Sequence, residues 1–162
     1  MKKLTAVLAT GLVLGASETV LAGSTATQTI TYEVKAINEI SLNGPPAAIV
    51  INTTNAGAEP DTLSKSTTYA ITTNETKKIT GKLNENMPPG VTLKIKLAAP
   101  TGGSSPTLPV ILTAAEVDLV AGVSKIAETG LVVTYTLSAT TEAGTIALNS
   151  SKNVTLTIAA SE

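Results

Sequence analysis

The sequence predicts an all-β protein, an antiparallel immunoglobulin-like β-sandwich of about seven to nine strands. Apolar residues alternate with Thr and Lys at a period of two in several segments, which favours strands over helices. Clusters of Gly, Pro and Asn separate these segments at short intervals. The core is expected to consist of Val, Ile, Leu and Ala, since aromatic residues make up only 2% of the chain and Cys is absent, so any likeness to antibody domains is architectural.

Residues 1–22 have the features of a signal peptide. Lys2 and Lys3 precede an apolar run over residues 4–16, which is too short to span a bilayer comfortably. We expect cleavage after Ala22 and export to the outside of a bacterial cell, with no membrane span in the remaining chain. The alternative is that the leader stays attached as a membrane anchor.

The sequence predicts a long first strand at residues 23–37, followed by a sandwich domain at residues 38–162. Its small or apolar positions alternate with Thr, Glu and Lys, whereas a helix would need spacings of three and four. One face of this strand consists of Ala26, Gln28, Ile30, Tyr32, Val34 and Ala36. At about 3.3 Å per residue, the eleven residues from Ala26 to Ala36 would reach roughly 36 Å, while most strands have about five or six residues.

Further strands follow along the chain. Clear alternation occurs at residues 91–97, 131–137 and 154–158, and shorter strands are expected at residues 48–52, 67–72, 78–83 and 108–113. The segments between them have the composition of turns, including residues 43–46, 55–57, 73–75, 87–90 and 100–106. This order of strands and turns, without long helical segments, is typical of a sandwich.

The sequence predicts one short helix at residues 114–121, which closes an end of the sandwich. Thr113 and Glu116 fit a capping box, and Gly122 fits a helix stop. The alternative is a further strand, whose apolar face would be formed by Val117, Leu119 and Ala121.

The composition argues against most chemistry. The chain has no His and no Cys, which removes the usual general base, the usual partner of a nucleophilic Ser and the ligands of zinc sites. Glu116 and Asp118 are close in sequence, but a helix start explains them better than a Ca²⁺ site, which needs six or more oxygen ligands. We therefore expect no enzyme activity, no catalytic residues, no cofactor and no metal.

Nucleic acid is not an expected partner either. The chain has no Arg and only three aromatic residues, Tyr32, Tyr69 and Tyr135, which we place on inward faces. The leader holds two of the eleven Lys and one of the twelve acidic residues, so its removal would leave a nearly neutral net charge of −2. A nearly neutral chain without base-stacking side chains does not attract polyphosphates.

The long first strand can be interpreted in two ways. It can pair within its own sandwich, as first strands commonly do in immunoglobulin-like domains. It can instead leave the domain and add to the sheet of a neighbour, with Ile30, Tyr32 and Val34 filling successive pockets. A head-to-tail contact of this kind does not close on itself and generates a filament.

The leader, the alternating TATQTITYEVKAI that follows it and the disulfide-free Thr-, Val- and Ala-rich sandwich resemble subunits of donor-strand-complemented bacterial surface filaments, including the TasA/camelysin type of biofilm matrix fibre. The resemblance implies a self-assembling, head-to-tail homopolymer at the cell surface, with a surface anchor or another matrix component as a further partner. A secreted adhesive or carbohydrate-binding module that acts as a monomer is the alternative, and a structural domain that does not polymerise is a third.

Overall fold

The computed structural model describes residues 25–147 and 150–161. These residues form an all-β, mostly antiparallel fold of six strands with essentially no helix, as the alternating sequence predicts. The strands are β1 (Asn38–Leu42), β2 (Leu63–Leu83), β3 (Val91–Leu97), β4 (Val110–Ile111), β5 (Val117–Ala139) and β6 (Val154–Ala160), with one 3₁₀ turn at Thr141–Ala143. The expected leader, residues 1–22, lies outside the described residues.

The six strands belong to one sheet with the order β1-β2-β5-β3-β4, and β6 also pairs with β2. β2 and β5 run antiparallel along almost their whole lengths, from Leu63 opposite Leu137 to Gly81 opposite Val117. On its other edge, β2 pairs first with β1 and then with β6. The long β2–β5 pair is therefore the frame on which the shorter strands are arranged.

Irregularities divide this frame into two parts that share one core. The register between β2 and β5 shifts at several places, including the stretch from Thr73 to Thr76, and such bulges increase the local twist and bend a strand. Buried side chains from both sides of this stretch form a single hydrophobic cluster, which includes Tyr69, Ile71, Ile79, Leu83, Leu93, Ile95, Leu97, Leu112, Leu119, Val120, Val123, Val133 and Tyr135. One core thus holds the whole sheet together.

The strands predicted at residues 91–97, 131–137 and 154–158 are confirmed. The two predicted at residues 67–72 and 78–83 lie in one continuous β2, and residues 73–75 are a bulged stretch of that strand instead of a turn. Residues 48–52 form no strand, and only Val110–Ile111 of the strand expected at residues 108–113 pairs with β3.

The helix predicted over residues 114–121 is wrong, because these residues lead into β5. The carboxylate of Glu116 accepts a hydrogen bond from Thr80 of β2 instead of capping a helix. The adjacent residues Leu119 and Val120 are both buried, since the register shift opposite Ile79 leaves one extra residue in β5. Pairing with β2 outweighs the local capping pattern. The alternative, a strand, is correct, but Ala121 of its expected apolar face is exposed.

Within the described residues, no helix is long and apolar enough to cross a membrane.

Candidate subunit interface

The six predicted donor-strand residues lie in a segment to which no strand is assigned. Residues 25–34, here called the arm, contain Ala26, Gln28, Ile30, Tyr32 and Val34, and Ala36 follows; all six side chains are exposed. Ile30 is 77%, Tyr32 87% and Val34 76% exposed, so Tyr32 does not face inward as the alternation suggested. Large apolar side chains in a row on a surface are typical of an interaction site. The role of these residues as a donor strand remains a prediction.

The chain leaves the arm through residues 35–37, which the side chain of Asn74 holds. The Ile37 N–H donates to Asn74 Oδ1 at 2.9 Å, and Asn74 Nδ2 donates to the Lys35 carbonyl at 2.8 Å. The backbone N–H of Asn74 also donates to the Ile37 carbonyl at 3.2 Å. The amide of Asn74 thus pairs with residues 35–37 as a neighbouring strand would. It fixes the point at which the chain passes from the arm into the sheet.

A set of polar side chains surrounds this point; we call Asn38, Thr73, Asn74, Glu75 and Lys77 the base cluster. Asn38 Nδ2 donates to Glu75 Oε2 at 2.6 Å, and Thr73 Oγ1 donates to Asn38 Oδ1 at 2.7 Å. Lys77 Nζ lies 3.1 Å from Glu75 Oε2. The hydrogen bond from Asn38, followed by that from Lys77, lowers the pKa of Glu75 below its ordinary value.

Sequence reasoning missed the base cluster because Asn74 and Glu75 had the composition of a turn. The available signal was the polar run TTNETKK between two apolar stretches of β2, since a break in the alternation is where a bulge is expected. The run predicts an irregularity, but only the pairing with β1 reveals that Asn38 and residues 35–37 lie beside it.

An apolar groove with a volume of about 1020 Å³ lies where β3 begins and β5 ends. Its floor contains two cross-strand pairs, Val91 with Ala139 and Leu93 with Leu137. Leu93 is 9% exposed, and the other three side chains are partly buried. We call each of these cross-strand pairs a rung. The floor therefore offers two apolar rungs, two residues apart along the strands, at one end of the common core.

One wall of this groove is residues 48–54, the segment that the sequence predicted as a strand. Ile49 packs against the core, whereas Val50 is 54% exposed. Hydrogen bonds from a turn hold the segment, since Thr53 Oγ1 donates to Asp61 at 2.6 Å and the Asp61 N–H donates to the Thr53 carbonyl at 3.1 Å. No ladder of strand hydrogen bonds to the described residues fixes this wall.

The opposite wall follows the end of β5. It includes the 3₁₀ turn Thr141–Ala143, whose first N–H donates to Glu59 Oε2 at 2.7 Å, and Ile146, which is 43% exposed. Lys152 is the one charged residue that lines the groove within the described part of the chain, and its Nζ lies 2.6 Å from Glu85 Oε1. The groove can hold apolar side chains, but it offers no free counterion to a carboxylate.

Groups of three or more acidic, His or Cys side chains that could hold a metal ion do not occur in residues 25–147 and 150–161. The expected Glu116 and Asp118 pair is engaged elsewhere, since Glu116 binds Thr80 and Asp118 lies 3.2 Å from Lys78 Nζ. The chemistry of the candidate interface is thus the burial of apolar side chains and the pairing of backbone.

Comparison with models of protein families finds no family that matches this chain, and comparison with curated proteins finds no similar sequence. The features that bear on function are accordingly the arm, the base cluster and the groove.

Proposed function

We propose that the chain is a structural subunit of an extracellular bacterial filament, either a pilus or a biofilm matrix fibre, which assembles when each subunit donates its arm to a neighbour. The observation that carries this proposal is the exposure of Ile30, Tyr32 and Val34, three large apolar side chains at alternate positions. Alternate apolar side chains on an extended segment are what an added strand inserts into a neighbouring sheet.

Energetics support such a contact. Full burial of three side chains of this size contributes about 5–9 kcal/mol, at about 1.5–3 kcal/mol each. Association costs about 4–15 kcal/mol in lost freedom of motion, so side chains alone do not make a tight contact. Backbone hydrogen bonds along the arm would supply the remainder, as in other cases of strand addition.

The acceptor in this proposal is an immunoglobulin-like sandwich formed by the bent β2–β5 frame. The single core shared by both parts of the frame supports this arrangement, because two packed layers enclose one core between them. Export by the leader and attachment to a surface anchor or another matrix component complete the proposal.

Electron microscopy of the purified chain from residue 23, and of material sheared from the native cells, tests this function. We expect filaments with an axial repeat close to the length of one domain. Monodisperse particles in both samples would contradict the proposal.

A matched pair of variants tests the role of the arm. Tyr32→Asp should abolish filament growth, because a carboxylate cannot enter an apolar site unpaired. Thr31→Asp adds the same charge one residue away, on the opposite face of an extended segment, and should leave growth largely intact. Filaments of normal length from Tyr32→Asp, or from a chain that lacks residues 24–34, would refute donation by the arm.

A second function, glycan binding by a monomeric adhesive module, takes its support from Tyr32. Its ring is 87% exposed beside two other apolar side chains, and exposed aromatic rings are common platforms for sugars. A glycan array probed with the monomer separates the two functions, because saturable binding that Tyr32→Ala removes and Tyr32→Phe retains would favour the adhesive function.

A further inference from the structure

The groove beside residues 48–54 is the feature of this molecule best suited to receive the arm. The inference rests on the proposed function and deepens it by naming the acceptor. We propose that the groove binds the arm of a second copy of this chain, with two successive side chains of Ile30, Tyr32 and Val34 over the two rungs formed by Val91 with Ala139 and Leu93 with Leu137.

The apolar side chains of the arm have the same spacing as the rungs of the groove floor. Successive rungs of the floor are two residues apart on β3 and β5, and the apolar side chains of the arm are also two residues apart. Both repeats therefore measure about 6.6–6.8 Å when the backbone is extended. An extended arm can thus place one side chain at each rung without a change of register.

The apolar face of the arm also matches the apolar lining of the groove. The arm presents apolar side chains on the face that carries Tyr32, and it carries its charge, Glu33, on the other face. The only charged lining residue among those described, Lys152, already lies 2.6 Å from Glu85. The groove accordingly fits the apolar face of the arm and not its charged face.

β6 follows residues 150–152 of the groove lining in the chain and, in the described part of the molecule, has a free backbone edge. β6 begins at Val154, two residues after Lys152, and pairs with β2 along one edge only. No strand within the described residues pairs with its other edge. Strand addition needs such a row of unpaired N–H and C=O groups next to a site for alternate side chains.

Chain length favours an arm that comes from another copy. Asn74 holds residues 35–37, and β2 runs eleven residues from Asn74 to Leu63, which lies opposite Leu137 of the groove floor. That path is roughly 36 Å at about 3.3 Å per residue. The five residues from Lys35 back to Ile30 span at most about 18 Å. Measured along β2, the apolar residues of the arm therefore span about half of the path to Leu63, which favours the groove of a second copy as the acceptor.

Cysteine cross-linking tests the acceptor directly, because the chain contains no Cys. Ala139→Cys places a small, partly buried thiol in the groove floor with little change in volume. Full-length chain with this substitution is expressed with its leader, purified and mixed under mild oxidation with chains that carry one Cys in the arm. The arm positions are residues 29, 30, 31, 32, 33 and 34.

We expect the yield of disulfide-linked dimers to peak at one position on the Tyr32 face of the arm. Cys at whichever of positions 30, 32 and 34 lies over residue 139 should cross-link several-fold more than Cys at position 29, 31 or 33, because a disulfide forms only when the two Cβ atoms approach within about 4.5 Å and successive residues of one face are about 6.6–6.8 Å apart. Thr72→Cys, at an exposed position of β2 away from the groove, serves as the control acceptor and should give uniformly low yields.

The outcomes separate this inference from the proposed function. Filaments in the micrographs without selective cross-linking to position 139 would overturn the groove as acceptor and leave the filament intact. Selective cross-linking without filaments would support the groove and overturn the polymer. Monodisperse particles with no selective cross-linking would overturn both.

Discussion

β3 and the arm have the same kind of sequence but opposite surroundings. In β3, Leu93, Ile95 and Leu97 alternate with polar residues and are at most 9% exposed. In the arm, Ile30 and Tyr32 alternate in the same way and are 77% and 87% exposed. Alternation therefore specifies that one face of a segment is apolar, but it does not specify which other segment covers that face.

The difference lies in the partners. β3 pairs with β5 along its whole length and with β4 near its middle, and its inward side chains join the common core. The arm has no assigned strand among the described residues. Its row of exposed apolar side chains is typical of an interaction site.

The largest expected effect sharpens this comparison. Ile95→Ala should lower the free energy of unfolding by about 2–5 kcal/mol, because it removes a fully buried side chain from a packed core. Ile30→Ala should change it by less than about 0.5 kcal/mol, as for most exposed positions. Urea unfolding of dilute protein measures both values. A loss of similar size from both variants would mean that the arm is buried in its own domain.

Much of the sheet could be predicted from the sequence, because β3, β6 and the second half of β5 have uninterrupted alternation and pack on one face. The first half of β5 could not, since the adjacent buried residues Leu119 and Val120 break the period at a bulge. Thr113 and Glu116 then supplied a local helix pattern that pairing with β2 overrides. Bulges depend on the partner strand, and the partner is not visible in local sequence.

The candidate interface was predictable only in part. The apolar face of the arm follows from alternation, whereas the groove depends on the junction of β3, β5 and residues 48–54, which are far apart in the sequence. Residues 48–52 have a strand-like composition but form a wall of the groove without strand pairing. Composition alone does not distinguish a strand from an unpaired apolar wall.

Gly90 and Gly44, which both have a φ of +73°, allow the backbone at the groove to be compared with a looser loop. A Cβ at Gly90 would lie 2.4 Å from the backbone N of Ala143 in the groove wall, whereas a Cβ at Gly44 would meet nothing within 4 Å. Both changes to Ala add the left-handed cost of about 1–2 kcal/mol. Gly90→Ala should lose about 1–3 kcal/mol more, because the backbone must move.

Thermal unfolding of the two variants measures that difference. Equal losses would mean that the 3₁₀ turn Thr141–Ala143 shifts freely, and the groove would then be a mobile surface instead of a preformed one. A larger loss from Gly90→Ala, together with weaker cross-linking at Ala139, would show that a fixed wall is needed for the arm to bind.

A smaller, local effect is expected at the base of the arm. Asn74→Ala removes the acceptor of the Ile37 N–H and the donor to the Lys35 carbonyl, at about 1 kcal/mol for each hydrogen bond. Hydrogen exchange of the Ile37 amide should become about fivefold faster for each kcal/mol that is lost locally. Asn74→Asp keeps the acceptor and should protect this amide more than Asn74→Ala does. Equal exchange in all three proteins would exclude a holding role for Asn74.

The smallest expected effect depends on pH and concerns Glu75. Its pKa is lowered in the folded chain, mainly by the hydrogen bond from Asn38 and then by Lys77. A lowered folded pKa means that the stabilising contribution is present above the unfolded pKa, about 4.3, and is lost as the pH falls through the folded value. We therefore expect the protection of the amides near Asn38 to decline as the pH falls below about 4.3.

An NMR titration of the Glu75 carboxyl carbon checks both the direction and the cause. Asn38→Ala and Lys77→Met should each raise the pKa of Glu75, because the hydrogen bond from Asn38 is the largest single cause of the lowering and Lys77 adds both a hydrogen bond and its charge. No rise in either variant would contradict this origin of the shift. A larger rise from Lys77→Met would mean that the ion pair dominates, and the effect would then weaken with added salt, which screens exposed charges.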